Sequence, residues 1–180
     1  MSDDFMEDYL TAGHMREAEP QEDPSSVSKV LGTYYAPYHS IFKMDKLTTK
    51  VRNVFNFSSK SSNNVSLNEM LYIGPNLLVN LLAILITFRI FPIAFTADIS
   101  MMYRTINLLP KYWDLQRIVW RKNPVDPLKT YQLTTVTYGV ACSPALALMV
   151  LERIAKQAAE PIHEWMSKRF YMDDYIFGSY

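Results

Sequence analysis

Phe170-Tyr171-Met172-Asp173-Asp174-Tyr175-Ile176-Phe177-Gly178 sets apolar and aromatic residues on both sides of two adjacent carboxylates. That pattern predicts a tight hairpin with both acids at its tip. Aspartate favours turns, so the pair alone fits an ordinary surface turn as well as a functional site. The upstream sequence carries the decision. Phe91-Pro92-Ile93-Ala94-Phe95-Thr96-Ala97 reads as a buried strand that delivers Asp98 at its end, 75 positions before Asp173. If the two strands are neighbours in one sheet, Asp98, Asp173 and Asp174 converge at one sheet end. Three carboxylates that close resist ionisation unless cations share their charge. Mg²⁺ suits such a place, because it takes oxygen ligands from a few carboxylates plus substrate phosphates.

Working outward, Asn76 predicts the cap of a core helix running from Leu77 to Ile86. A membrane span needs about 20 apolar residues. Asn80 interrupts this run, and Arg89 and Pro92 end it, so a spanning segment is rejected. Pro110 predicts a second helix with Leu115, Ile118 and Val119 on one face and Asp114 and Arg117 on the other. Tyr131 to Tyr138 suits a strand, as do Val51, Val54, Phe55 and Phe57, with a loop from Ser58 to Asn64. Ser143-Pro144 predicts a serine-capped helix start. Leu146, Met149, Val150 and Ile154 form its apolar stripe, while Arg153, Lys156 and Gln157 face outward. Strands, helices and a terminal hairpin in this order imply an α+β fold with an antiparallel sheet.

Composition narrows the function. A chain of 180 residues forms one large domain or two small ones, and an apolar fraction near one half excludes general disorder. The single cysteine, Cys142, excludes an internal disulfide and reads as a packing residue. The first residues lack a basic start followed by an apolar run, so no signal peptide is expected and the protein is placed inside the cell. Zero net charge hides an asymmetry. Met1 to Pro24 carries eight acids against Arg16, and Ile41 to Lys60 carries five bases against Asp45. This is the layout of an acidic flexible leader, residues 1–27, followed by a phosphate-facing surface, or of two solvated charge runs. His14, His39 and His163 are too scattered for a metal site, and no Cys/His spacing supports zinc. Trp113, Trp120 and Trp165 read as core anchors.

Three blocks bear a family resemblance. Phe95-Thr96-Ala97-Asp98-Ile99-Ser100-Met101-Met102-Tyr103-Arg104 resembles the first catalytic block of reverse transcriptases. Thr137-Tyr138-Gly139-Val140-Ala141-Cys142-Ser143-Pro144 resembles the second, and the Asp173-Asp174 hairpin resembles the third, in the same order. Tyr9-Leu10-Thr11-Ala12-Gly13-His14-Met15, Tyr34-Tyr35-Ala36-Pro37-Tyr38-His39, Thr48 to Phe55, Ser66-Leu67-Asn68-Glu69 and Trp120-Arg121 resemble the fingers of Bel/Pao-type LTR retrotransposons. The resemblance runs from Tyr9 to Tyr180.

It implies a polymerase palm over residues 91–180, an antiparallel sheet with packed helices of ferredoxin or RRM type, and partial fingers over 28–90. The implied activity is RNA-directed DNA polymerase, by two-metal nucleotidyl transfer. Asp98, Asp173 and Asp174 would hold two Mg²⁺ ions, or Mn²⁺, with the Ile99 carbonyl completing one shell. Tyr103 matches the aromatic gate beneath the sugar; its plainer role is a buried aromatic. Lys50 and Arg52 match a triphosphate grip, or are two surface charges. Gly139 matches a close backbone approach to nucleotide and template base, or is a turn glycine. Asn56, Ser100-Met101 and Tyr138 depart from the common pattern, and none of them removes a metal ligand.

The implied partners are a primer on an RNA or DNA template and deoxynucleoside triphosphates, without a membrane, in a cytoplasmic virus-like particle or the nucleus. Thumb, ribonuclease H and integrase regions belong to the full element. The chain is therefore expected to stop after the third block and to have little activity alone. The alternative is a non-enzymatic remnant of a retroelement with weak nucleic-acid binding.

Overall fold

The computed structural model describes residues 2–19, 32–42 and 51–180. In chain order the elements are α1 (Ser2–Thr11), β1 (Met15–Glu17), β2 (Tyr38–Phe42), β3 (Val51–Phe55), α2 (Leu67–Met70), α3 (Leu81–Ile90) and β4 (Ile93–Asp98). Two 3₁₀ turns follow, Met102–Thr105 and Pro110–Gln116. Then come β5 (Arg117–Trp120), β6 (Lys129–Leu133), α4 (Ser143–Gln157), α5 (Ile162–Arg169), β7 (Phe170–Tyr171) and β8 (Asp174–Ser179). The class is mixed α and β with small antiparallel sheets.

Two compact units result: Met1–Tyr72 with Arg104–Ala141, and Ile73–Tyr103 with Cys142–Tyr180. These bounds cut across the expected divisions at residues 27 and 90. Each unit joins stretches distant in sequence, which a reading along the chain does not see.

In the first unit β6 is the central strand of the order β1-β6-β5 and runs antiparallel to both neighbours. The described part of the expected leader belongs to this unit. β1 pairs Met15 with Leu133, and Met6, Tyr9 and Met15 are buried. Met6 and Tyr9 are three apart and share one face of α1. The many acids around them masked that stripe. Residues 20–27 of the leader lie outside the described residues.

Pro110 opens a helical segment as expected, but a short 3₁₀ one. Arg117 turns extended, with φ −82° and ψ 148°. Its N–H donates to the Tyr34 carbonyl at 3.0 Å, and Ala36 donates to the Arg117 carbonyl at 2.8 Å. That neighbour strip pulls Ile118 and Val119 into β5 instead of a helix, a tertiary override of the apolar spacing. Asp114 and Arg117, expected to face outward, are buried together. Arg117 Nε donates to Asp114 Oδ1 at 2.7 Å, and Gln132 Nε2 donates to the same oxygen at 2.5 Å. Trp120 is buried against Tyr131, with ring centroids 5.5 Å apart, as a core anchor should be. β2 and β3 form a separate antiparallel ribbon that pairs Tyr38 with Phe55 and Ile41 with Arg52.

In the second unit the sheet order is β4-β8-β7. The helix before β4 begins later than expected. Asn80 Oδ1 accepts from the Ala83 N–H at 3.2 Å and caps α3, while Asn76 Oδ1 accepts from Leu78 at 3.1 Å in the preceding turn. The residue that looked like an interruption is the helix start. α3 packs against β8, burying Ile84 and leaving Leu82, Leu85, Ile86 and Ile90 exposed. Among the described residues, no helix is long and apolar enough to cross a membrane.

β4, expected to be buried, is exposed at every position. It is an outer strand of its sheet, and α3 leans on β8 rather than on it. α4 also departs from expectation. Ala145, Ala147 and Ala155 are its buried apolar residues, while Met149 and Ile154 are about half exposed. Small side chains let the helix approach its neighbours closely, so the face with less apolar bulk turns inward. Ser143 is the first helical residue and Cys142 occupies the cap position. Burial pushes the Cys142 thiol up, keeping it neutral, as suits a packing residue. α5 was not foreseen, although Glu164 in its first turn and Lys168-Arg169 in its last are ordinary helix signals.

The inward face of α4 can be tested. Ala147 is fully buried. Ala147→Leu is expected to destabilise the chain by about 1–3 kcal/mol in urea unfolding, through overpacking. Met149→Ala should change stability by no more than about 1 kcal/mol. The reverse ranking would return the expected stripe to the core.

Candidate functional site

The hairpin at the heart of the second unit is short. Tyr171 pairs with Asp174, which leaves Met172 and Asp173 as a two-residue turn. Met172 has φ +57°. A positive φ at the first corner is the II′ arrangement that fits strand twist, and glycine is its usual occupant. Asp173 holds the second corner, and Asp174 opens β8.

β4 runs antiparallel to β8 in a six-pair register from Ile93↔Ser179 to Asp98↔Asp174. Residues directly opposite project to one face of a sheet, with Cβ atoms about 4.5–5.5 Å apart. Asp98 and Asp174 are therefore side-by-side carboxylates at one sheet end. A main-chain bond extends the join: Ile99 N–H donates to the Asp173 carbonyl at 2.9 Å. The Ile99 carbonyl in turn accepts from Met102 at 3.2 Å. All three aspartates are exposed.

Among the described residues, no three His, Cys, Asp or Glu side chains are gathered closely enough to hold a metal ion. The expected convergence of three carboxylates is thus narrower in the structure. Asp98 and Asp174 stand together, and Asp173 joins through its main chain. Asp173 lies on the turn, outside the strand pairing that sets the other two opposite one another. The donors present suit a divalent cation in kind. They are oxygens only, exposed, and include two like charges directly opposite, an arrangement that is unfavourable until a cation sits between them.

Tyr103 lies on the 3₁₀ turn beyond Asp98 and is half-buried. Burial pushes its phenol up, and the Asp173 charge adds to the shift. A cavity of about 340 Å³ lies beside Asp98, lined by Ala97, Ile99, Trp165, Met166, Phe170 and Tyr175 among others. Its α5 contributors went unforeseen because that helix did.

The remaining expected residues belong to the first unit. Arg52 is exposed on β3. Lys50 lies outside the described residues. Gly139 has φ +91°, and a Cβ there would come within 2.7 Å of the Phe55 carbonyl oxygen. Conformation and space both demand glycine.

No protein-family model and no curated protein sequence matches the chain. Solved structures do. The native protease–reverse transcriptase of prototype foamy virus superposes with a TM-score of 0.64 at 18% identity, covering 97% of this chain and 19% of the viral one. The selenomethionine-labelled CSH mutant of that protein gives the same values: TM-score 0.64, 18% identity, 97% and 19% coverage. The fold is shared. The chain spans about a fifth of the length of these neighbours, and at this identity the likeness speaks for fold alone.

The Gly139 turn yields a direct test. Gly139→Ala should cost about 1–3 kcal/mol in urea unfolding, since the added Cβ meets backbone that cannot swing aside. A cost below about 0.5 kcal/mol, the range of an ordinary surface change, would show that the turn is not held as described.

Proposed function

We propose that the chain is the catalytic-motif region of a retroelement reverse transcriptase of Bel/Pao type, joining deoxynucleotides to a primer by two-metal nucleotidyl transfer. The register that sets Asp98 opposite Asp174 carries this reading. The fold shared with a foamy virus protease–reverse transcriptase supports it.

In the proposed reaction the primer 3′-oxygen bonds to the α-phosphorus of the incoming nucleotide. The α–β phosphoanhydride breaks, pyrophosphate leaves, and the hydroxyl proton passes to solvent. Bound Mg²⁺ would activate that hydroxyl and stabilise the leaving phosphates. Asp98 and Asp174 would supply the main carboxylate ligands. Asp173 would add an oxygen by a small side-chain rotation, and Ile99 the second lone pair of its carbonyl. Tyr103 would lie under the sugar, where a ring collides with a 2′-hydroxyl and so selects deoxynucleotides by exclusion. For Lys50, Arg52 and Gly139 the proposal is nucleotide binding: two cations for the triphosphate and a bare backbone for close approach. Primer–template and the thumb, ribonuclease H and integrase regions of a full element are the proposed partners. Polymerase affinity for duplex draws on basic surface. A chain of zero net charge should therefore bind primer–template weakly and with strong salt dependence.

Two outcomes follow. Mg²⁺ or Mn²⁺ should raise the melting temperature, with a stabilisation of about 2.7 kcal/mol at a hundredfold excess over Kd, and Asp98→Asn or Asp174→Asn should abolish the rise. The same variants should abolish incorporation of dTTP on poly(rA)/oligo(dT), which the unsubstituted chain is expected to perform slowly and only at low salt. Primer–template binding with neither a metal-dependent rise nor incorporation would favour the non-enzymatic remnant instead. In any active form that includes this chain, Tyr103→Val should admit ribonucleotides while sparing deoxynucleotide use. Unchanged discrimination between the two sugars would assign Tyr103 to packing.

A further inference from the structure

The turn that carries Gly139 makes little regular structure of its own, yet side chains tie it at three points. Tyr138 Oη donates to the Asn53 carbonyl at 2.7 Å, next to Arg52 on β3. The other two ties come from one residue, Asn68. Its Nδ2 donates to the Gly139 carbonyl at 2.9 Å, and its Oδ1 accepts from the Ala141 N–H at 2.8 Å. An amide side chain has two donor hydrogens and an acceptor oxygen. Here the second donor reaches Ser58 Oγ, also at 2.9 Å. One amide thus grips the backbone on both sides of Val140.

Asn68 is itself held. It is the second residue of α2, whose start is closed by a capping box between Ser66 and Glu69. Its own N–H donates to the Phe57 carbonyl at 3.1 Å. A short helix of four residues would otherwise fray; the box and the Phe57 bond give the amide a fixed base. Gly139 lies close to the same strip, since an added Cβ would come within 2.7 Å of the Phe55 carbonyl oxygen.

We infer that Asn68 is a positioning residue for nucleotide binding: its amide fixes the Gly139 turn at the spacing from β3 that a bound nucleotide requires. This rests on the proposed polymerase reading, which assigns Gly139 and Arg52 to the nucleotide, and it adds a residue that reading leaves without a role. Asn68 acts through the Gly139 and Ala141 main chain, and its specific chemistry is that one amide both donates and accepts. Aspartate keeps the acceptor and loses the donors, and alanine loses both.

The full chain is the material for the test, with two readouts. Amide hydrogen exchange reports the clamp at Ala141. Fluorescence titration of dTTP, with Ca²⁺ on a poly(rA)/oligo(dT) duplex, reports nucleotide affinity, and duplex affinity is measured alongside. In Asn68→Ala, Ala141 exchange should rise at least tenfold relative to amides of β6. dTTP affinity should fall about tenfold, with duplex affinity changed less than twofold. In Asn68→Asp, Ala141 should stay protected while dTTP affinity still falls, a split that a purely structural residue would not produce. Unchanged Ala141 exchange in Asn68→Ala overturns the inference. So does accelerated exchange with undiminished dTTP affinity, provided Arg52→Ala does weaken it. If Asn68→Ala does not fold, Asn68→Asp decides by nucleotide affinity: dTTP affinity should fall with Ala141 still protected, and undiminished dTTP affinity overturns the inference. Failure of the unsubstituted chain to bind dTTP sinks the polymerase reading and this inference together, whereas normal binding with insensitive Asn68 variants sinks this one alone.

Discussion

The antiparallel register between β4 and β8 is the constraint on which the second unit rests. Side chains alternate along a strand, so a slip of one residue would set Asp98 against Tyr175 and turn a whole row to the other face. Several contacts hold the alignment. The Ile99–Asp173 bond fixes one end, and at the other Gly178 admits Phe91, whose Cβ would lie 2.7 Å from any added Cβ. Phe177 gathers Phe95 at 5.1 Å and Phe91, Trp165 and Tyr175 at 6.0 Å, with the Arg169 guanidinium 4.1 Å above its ring. Aromatic pairs contribute about 0.5–1.5 kcal/mol each beyond burial. A positive φ at a residue such as Met172 costs about 1–3 kcal/mol. The cluster around Phe177 outweighs the strain at the turn, so the hairpin keeps a corner that glycine would fill more easily.

The first unit buries several polar groups beside its apolar core. Asp114, Arg117 and Gln132 meet with little exposure, and their worth depends on completeness. Removing one partner of a buried pair leaves an uncompensated charge, which is far more damaging than the pair is stabilising. Arg104 follows another logic. Its Nη1 donates to Thr135 and Thr137, while Nε and Nη2 have no hydrogen-bond partner. Its guanidinium instead lies over Tyr9 at 4.3 Å, Tyr138 at 5.1 Å and Phe55 at 5.8 Å. Ring faces substitute for the missing acceptors. Burial pushes the Tyr9 phenol up while the Arg104 charge pulls the other way, and the ring stays neutral.

What was legible in the sequence follows from which signals are local. The Asp173-Asp174 hairpin, the strand ending at Asp98, the helix opening at Ser143-Pro144 and the demand for glycine at 139 all rest on turn and cap chemistry, and all stand in the structure. The errors arose where tertiary context chose among equal local options. Asn76 and Asn80 are both good caps, and packing on β8 selected Asn80. Ile118 and Val119 suit helix or strand, and the Tyr34–Ala36 strip selected strand. α4 has an apolar stripe and an alanine stripe, and close packing selected the alanines. The pairing of Asp98 with Asp174 needs only adjacency of two strands, which the sequence suggested. The positive φ of Met172 in the turn that carries Asp173 was not legible in the same way.

Magnitudes explain how the chain tolerates two like charges side by side. Asp98 and Asp174 are exposed. Two unit charges held at about the spacing of opposed Cβ atoms, about 5 Å, repel by about 0.8 kcal/mol in water and by about 3 kcal/mol at an effective dielectric of about 20. The smaller figure lies well below what the Phe177 cluster contributes, so the register is set by packing and requires no cation. Burial of β4 would move the balance toward the larger figure and set charge against strand pairing. The exposure of β4, unexpected from its composition, is therefore what makes the arrangement compatible with folding. It leaves both carboxylates fixed at the backbone by the strand pairing and exposed to solvent.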